Sequence, residues 1–337
     1  MNTHHIILGD CITGMKTLSD KCVQTCITSP PYFGLRDYQG GEAEIGQEDT
    51  VEGYVQKMVE VFREVRRILR DDGTLWLNLG DSYMSAKNCA PPPQTVANGN
   101  ARSMPTDFIP ANRKDQEGLK TKDLIGIPWR VALALQADGW YLRQDIIWSK
   151  PNPMPESVAD RCTKSHEYIF LLSKKPHYYY DHEAVKEPLA EASYGRAERK
   201  KKLMDRTGKG TLGKQIENGV DSSHGYAGLA LGRNGKTGYA EDGKRNKRSV
   251  WTVNTKGYKG AHFAVYPEEL VTPCVLAGCP QDGTVFDPFT GSGTTAVVAL
   301  KNGRNYIGTE LNPEYIKIAE ARIQESVPQT LEEILND

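Results

Sequence analysis

At 337 residues, with 25% charged side chains and a net charge of −1, the chain can hold one large domain with an insert. It carries no molecule-wide basic field, so any hold on a polyanion has to be local. Seven cysteines without a repeated C-x-x-C or paired histidines argue for reduced thiols and against a disulfide scaffold or a metal site, while the lack of an 18-residue apolar run or a leader-like N-terminus excludes membrane and export classes and points to the cytoplasm.

In chain order, His5–Leu8 is a short apolar strand ending at Gly9-Asp10, and Val23–Thr28 is a second, ending at Ser29-Pro30-Pro31-Tyr32. Apolar residues at Val55, Met58, Val59, Phe62, Val65, Ile68 and Leu69 recur at helical spacing and predict a helix over 51–69, stopped by Asp71-Asp72-Gly73. Thr74–Leu79 reads as a buried strand closing at Gly80-Asp81, and 86–122, rich in Pro, Asn and Gly, as a long surface loop that could serve as a flap. A helix over 128–137 and strands over 141–148 and 168–173 come next, with the proline-stiffened segment Ser149-Lys150-Pro151-Asn152-Pro153 between the strands. The last block predicts a helix over 267–276, a strand at Val285-Phe286, a Gly-rich turn, a helix over 294–301, a strand over 306–309 and a helix over 313–325. Strands alternating with helices imply a doubly wound, mostly parallel α/β sheet.

The Gly-rich turn, Asp287-Pro288-Phe289-Thr290-Gly291-Ser292-Gly293-Thr294-Thr295, ends a strand and opens a helix, a geometry that lets backbone approach a ligand at the carboxyl edge of a sheet. It lacks the lysine of a P-loop and the G-x-G-x-x-G spacing, so ATP and NAD fit poorly. Asp287 suggests a carboxylate facing an amine-bearing ligand, and Glu310, some twenty residues on at the end of the next strand, can accept both hydroxyls of a ribose. An adenosyl ligand with an amino-acid tail, S-adenosylmethionine, fits this set.

In Ser29-Pro30-Pro31-Tyr32 two prolines fix φ and remove donors, so the carbonyls of Ser29 and Pro30 can point outward as acceptors beside an aromatic ring. By pattern alone this is also an ordinary strand-ending turn. Together with 286–295, however, the segment 28–32 resembles the amino-directed DNA methyltransferases of the β class, in which the catalytic motif precedes the cofactor motif. The resemblance extends over nearly the whole chain, through Gly80-Asp81-Ser82-Tyr83, Ile147-Trp148-Ser149-Lys150-Pro151, His166-Glu167-Tyr168 and 262–270. It implies a circularly permuted, seven-stranded methyltransferase sheet, with one catalytic half over 1–185, an inserted target-recognition region over 186–250 and the cofactor half over 251–337.

Carried over by motif position, Asp287, Pro288, Phe289, Gly291, Ser292, Gly293, Thr294 and Thr295 would wrap the methionine part of the cofactor, with Asp287 near its amino group. Glu310 would bind the ribose and Asp10 the adenine amine. Ser29, Pro30, Pro31 and Tyr32 would hold the exocyclic amine of a flipped base, with Tyr32 stacking on the ring. Ser-Pro-Pro-Tyr is similar to the N4-cytosine members, Asp-Pro-Pro-Tyr to the N6-adenine ones. Cytosine N4 is the expected acceptor, adenine N6 the alternative, and an RNA or protein-amide nitrogen a further rival, since a hydroxyl can face either ring.

The stretch 186–248 is the one strongly basic, apolar-poor region. Arg196, Arg199, Lys200, Lys201, Lys202 and Arg206 form one cluster, Lys244, Arg245, Lys247 and Arg248 another, and with Lys150 they are the candidate contacts to double-stranded DNA. A companion restriction endonuclease and a monomeric or homodimeric state are the partner expectations. Trp251 and Tyr258 read as core.

Overall fold

The computed structural model describes residues 2–34, 44–85, 116–189, 244–256 and 265–326. The chain divides into two compact units, Met1–Asp181 with Ser249–Asp337, and His182–Arg248.

The strands, in chain order, are β1 (His4–Leu8), β2 (Val23–Thr28), β3 (Leu69–Leu79), β4 (Tyr141–Ser149), β5 (His166–Ser173), β6 (Glu187–Pro188), β7 (Lys244–Arg245), β8 (Val250–Thr252), β9 (Thr284–Asp287) and β10 (Asn305–Glu310). Within the second unit β6 and β7 make a short antiparallel ladder. The other eight form one sheet in the first unit, in the order β1-β10-β9-β2-β3-β5-β4-β8, in which only β5 runs against the rest. The permuted order is visible at one edge. There β1, near the N-terminus, pairs in parallel with β10, near the C-terminus, through His4↔Tyr306 to Leu8↔Glu310.

The helices are α1 (Cys11–Lys16), α2 (Val51–Ile68), α3 (Ile127–Ala137), α4 (Glu268–Gly278), α5 (Thr294–Lys301) and α6 (Pro313–Ser326). In α2 the Thr50 hydroxyl accepts from the Gly53 amide at 3.0 Å and caps the first turn, while Arg66 and Arg67 complement the dipole at the last. Its buried stripe, Val51, Tyr54, Met58, Phe62, Val65 and Ile68, joins Leu75, Leu77 and Leu79 of β3 in the main core. Each such side chain contributes roughly 1.5–3 kcal/mol by leaving water.

Three expectations change. The sheet has eight strands, because Trp251, buried against Trp76 at a ring separation of 6.4 Å, draws Val250–Thr252 into parallel pairing beside β4. Asp71-Asp72-Gly73 does not separate helix from strand: Leu69 is already extended at φ −69°, ψ 141°, and β3 starts there, taking up the extra residues as an irregularity opposite Val23–Thr25. The six-residue α1 was unexpected, and it starts because the Asp10 carboxylate accepts from Thr13 N at 2.9 Å. Of the long loop, 86–115 lies outside the described residues, and at its end Gln116 is buried, with its side chain bonding Val51 N and Asp49 O. Among the described residues no helix is long and apolar enough to cross a membrane.

Candidate active site

Because every strand of the large sheet but β5 runs one way, the carboxyl ends of β1, β10, β9, β2, β3 and β4 share one edge with the start of β5. Across it stand, in order, Asp10, Glu310, the 287–295 turn, Ser29–Tyr32, Gly80, Glu167 and Lys150. The two motifs that lie more than 250 residues apart in sequence therefore sit on the neighbouring strands β2 and β9.

Asp287 joins them. It is 1% exposed, and its carboxylate accepts from Thr28 Oγ1 at 2.6 Å, Phe289 N at 3.0 Å, Thr295 Oγ1 at 2.8 Å and the Tyr266 hydroxyl at 3.1 Å. Burial pushes its pKa up against these four donors. The carboxylate expected to face a ligand amine is thus engaged by protein on both oxygens, and it ties the last residue of the catalytic strand to the Gly-rich turn. Pro288 O accepts from Thr309 Oγ1 at 2.7 Å, and Thr290 N donates to Thr309 O, which anchors the turn on β10. Gly291 and Gly293 take φ +52° and +77°, and a Cβ on Gly293 would lie 2.9 Å from Ala319 of α6. Ser292, Thr294 and Thr295 are buried, and Arg322 of α6 donates to Ser292 Oγ at 3.2 Å and Thr294 Oγ1 at 2.7 Å.

Glu310 accepts Gly291 N on one oxygen at 2.8 Å and Asn312 N on the other at 2.9 Å, with the Leu311 amide also directed at it, so acceptor capacity remains on the carboxylate. Burial raises its pKa as well. Asp10 uses Oδ1 alone, for Thr13 N and Thr13 Oγ1, and among the described residues nothing reaches its Oδ2. Next to it Gly9, at φ +137°, has open space where a Cβ would stand. Free acceptors at the ends of β1 and β10 beside a turn held open by glycines suit a ligand with an exocyclic amine and a ribose, so S-adenosylmethionine fits the residues present.

On the other side, Pro31 O accepts from the Tyr54 hydroxyl at 2.8 Å, whereas the carbonyls of Ser29 and Pro30 accept nothing among the described residues. Tyr32 lies over Gly80, where a Cβ would come within 2.5 Å of its ring. Its hydroxyl lies 2.8 Å from Glu167 Oε2, 3.3 Å from Asn78 Oδ1 and 3.5 Å from Ser29 Oγ. Burial, then the Glu167 charge, hold the phenol well above its ordinary pKa, so it stays a donor.

Lys150, expected at a DNA phosphate, has another setting. Its ammonium is ion-paired with Glu167, both side chains 16% exposed, and sits 4.1 Å over the Trp148 ring. The pairing turns it inward, away from a solvated phosphate. Of the basic clusters, Arg196, Arg199, Lys200, Lys201, Lys202 and Arg206 lie outside the described residues, as does Tyr258. In the second unit Arg245, Lys247 and Arg248 converge on Glu187 at 3.5, 3.4 and 3.8 Å, and Lys244 pairs with Pro188 in the β6–β7 ladder.

Thr28, Asn78, Glu167, Tyr266 and Arg322 were not foreseen as site residues. Asn78 carried a signal, as the one polar side chain in the apolar run 75–79. Burial pushes the Cys11 and Cys279 thiols up to about 12 and Cys26, on β2, well above its usual value, so none of these offers a thiolate nucleophile.

A permuted α/β sheet that brings carboxylate acceptors and a glycine-held turn on β1, β9 and β10 beside a proline-fixed turn on β2 fits a methyltransferase that acts on a planar amine. The DNA methylase family of N6 and N4 methyltransferases matches residues 23–321, and the chain belongs to it. It is 45% identical over 318 residues to the Type II methyltransferase M.SmaI of Serratia marcescens, covering 94% of this chain and 90% of that one. With M.Cfr9I of Citrobacter freundii it shares 42% over 324 residues, 96% and 89% of the two chains. Among solved structures, a cytosine-N4-specific PvuII DNA methyltransferase superposes with a TM-score of 0.60 at 17% identity over 100% of this chain and 91% of that one. A DNA modification methylase of Thermus thermophilus in complex with S-adenosyl-L-methionine gives 0.55 at 18% over 98% and 96%. The protein is a DNA methyltransferase that takes the methyl group from S-adenosylmethionine and transfers it to an exocyclic amine of a base.

Proposed function

We propose that the acceptor is N4 of cytosine, held by the free carbonyl of Pro30 and the hydroxyl of Ser29. The observation that carries this is the head of the turn: Ser29 is neutral, half-buried and followed by two prolines, the arrangement similar to the family's N4-cytosine members. An exocyclic amine is a weak nucleophile because its lone pair is delocalised into the ring. Acceptors placed at Pro30 O and Ser29 Oγ draw its hydrogens out of the ring plane and favour the tetrahedral nitrogen of the transition state. Bound S-adenosylmethionine supplies an electrophilic methyl on a sulfonium. Asp10 Oδ2 receives its adenine amine and Glu310 its ribose hydroxyls, while 287–295 encloses its methionine end. Asp287 shapes that end through Phe289, Thr295 and Thr28. The flipped base stacks on Tyr32.

The basic segment 186–250 supplies target recognition, and the flanking halves 1–185 and 251–337 form the catalytic domain. A restriction endonuclease of the same specificity, a monomeric or homodimeric state and a cytoplasmic location complete the reading. Mass spectrometry of nucleosides from DNA incubated with the protein and methyl-labelled S-adenosylmethionine tests it. Label in N4-methylcytosine is expected. Label confined to N6-methyladenine would transfer the same pocket to adenine.

A further inference from the structure

The hydroxyls of the acceptor turn have a direction, and it is set from outside the turn. A carboxylate can only accept, so the single proton of the Tyr32 hydroxyl goes to Glu167 Oε2, 2.8 Å away. Asn78 does not compete for it. Its Nδ2 bonds Tyr168 O at 3.0 Å and Glu167 Oε2 at 3.3 Å, which orients the amide and leaves Oδ1 at the longer distance of 3.3 Å from the phenol oxygen. With its proton committed, the phenol oxygen turns lone pairs toward Ser29, whose hydroxyl lies 3.5 Å away, at the outer limit for donating to it. A base N–H arriving at Ser29 Oγ tightens that contact, because accepting it points the one serine proton at the phenol.

We propose that Glu167, held by Lys150, is a positioning residue that polarises the chain Ser29→Tyr32→Glu167 and so biases Ser29 Oγ toward accepting, which favours a base that brings an N–H to it. A ring nitrogen or a carbonyl oxygen placed there would have to draw the serine proton away from the phenol. The pocket thereby favours the amine of cytosine over the carbonyl at the same position of uracil. This rests on the Ser29–Tyr32 turn being the amine pocket.

Glu167→Gln reverses the polarity. Lys150 claims the amide oxygen, which leaves Nε2 pointing at the phenol and turns the chain around, at nearly constant volume. The expected result is a fall in kcat of about tenfold or more, the worth of one charge-assisted hydrogen bond, with S-adenosylmethionine affinity by calorimetry and KM for DNA little changed. Tyr32→Phe, which deletes the middle link and keeps the ring, should fall to a similar level. The decisive measurement is a double-mutant cycle. In a Ser29→Ala background, Glu167→Gln should cost nothing further, because the group it orients is gone. Additive losses, or an unimpaired Tyr32→Phe, would overturn the polarising role and leave the amine pocket standing. Full activity in Ser29→Ala would instead remove the pocket reading itself.

Discussion

At the scale of single residues the site contains two carboxyls whose burial outweighs their hydrogen bonds. Asp287 and Glu310 both have pKa values raised in the folded protein, by burial first. A carboxyl of this kind favours the folded state on the acid side: the contribution is complete below its unfolded pKa and is withdrawn as pH rises through the raised folded value. Glu310, partly open to solvent, is the one that can be replaced with least disturbance. Glu310→Gln is therefore expected to lose most stability relative to the native chain near its ordinary pKa of 4.5 and progressively less toward neutral pH. Denaturant unfolding of both proteins across that range reads the difference, and a pH-independent gap would show that the carboxyl is not desolvated as described. The same variant should weaken S-adenosylmethionine binding at neutral pH, since an amide keeps one acceptor oxygen and replaces the other with an NH2 donor. On the proposed reading, stability at this position is given up to keep a ribose acceptor at the sheet edge.

Elements were legible where one periodicity dominated. The helical stripe of 51–68 and the apolar runs of β2, β5 and β9 came through with ends off by a residue or two, because burial of one face specifies them. What escaped was set by tertiary contacts: α1 depends on a single capping carboxylate, β8 on the packing of Trp251, and the start of β3 on a pairing that absorbs an irregularity. The site divides similarly. Ser29–Tyr32 and the Gly-rich turn announce themselves through proline and glycine, whereas Glu167 and Tyr266 act only through partners that the fold brings from other strands. The turn also illustrates why its glycines are needed. Gly293→Ala would put a Cβ in left-handed backbone and within 2.9 Å of Ala319 in α6, while Gly139, at φ +99° after α3, has open space around it. Gly139→Ala is expected to cost roughly 1 kcal/mol of backbone strain, and Gly293→Ala roughly 2–4 kcal/mol, strain and overpacking together. Only the second should weaken S-adenosylmethionine binding. Equal losses in thermal unfolding would mean that α6 yields to the extra methyl.

At the scale of the whole molecule, charge is partitioned more sharply than composition suggests. Between 182 and 248 fifteen Lys and Arg stand against nine Asp and Glu, a surplus of six, so the rest of a chain of net charge −1 carries −7. The unit Met1–Asp181 with Ser249–Asp337 contains every residue proposed to hold the cofactor and the acceptor amine, yet its net charge repels a polyanion. On the proposed reading, affinity for DNA comes from His182–Arg248, where Arg245, Lys247 and Arg248 already share Glu187. Replacing 182–248 by a flexible Gly/Ser linker separates the two contributions. The shortened chain should unfold cooperatively and bind S-adenosylmethionine with the affinity of the intact protein, because the sheet, the Gly-rich turn and the ends of β1 and β10 are untouched. Its binding to duplex DNA should collapse, and with it the slope of log affinity against log salt, which shrinks by about 0.9 for each phosphate the protein no longer neutralises. Titrations of both proteins at several salt concentrations give that slope directly. An unchanged slope would place the phosphate-binding cations on the catalytic unit in spite of its charge, and a loss of S-adenosylmethionine binding would show that the basic segment braces the cofactor site as well.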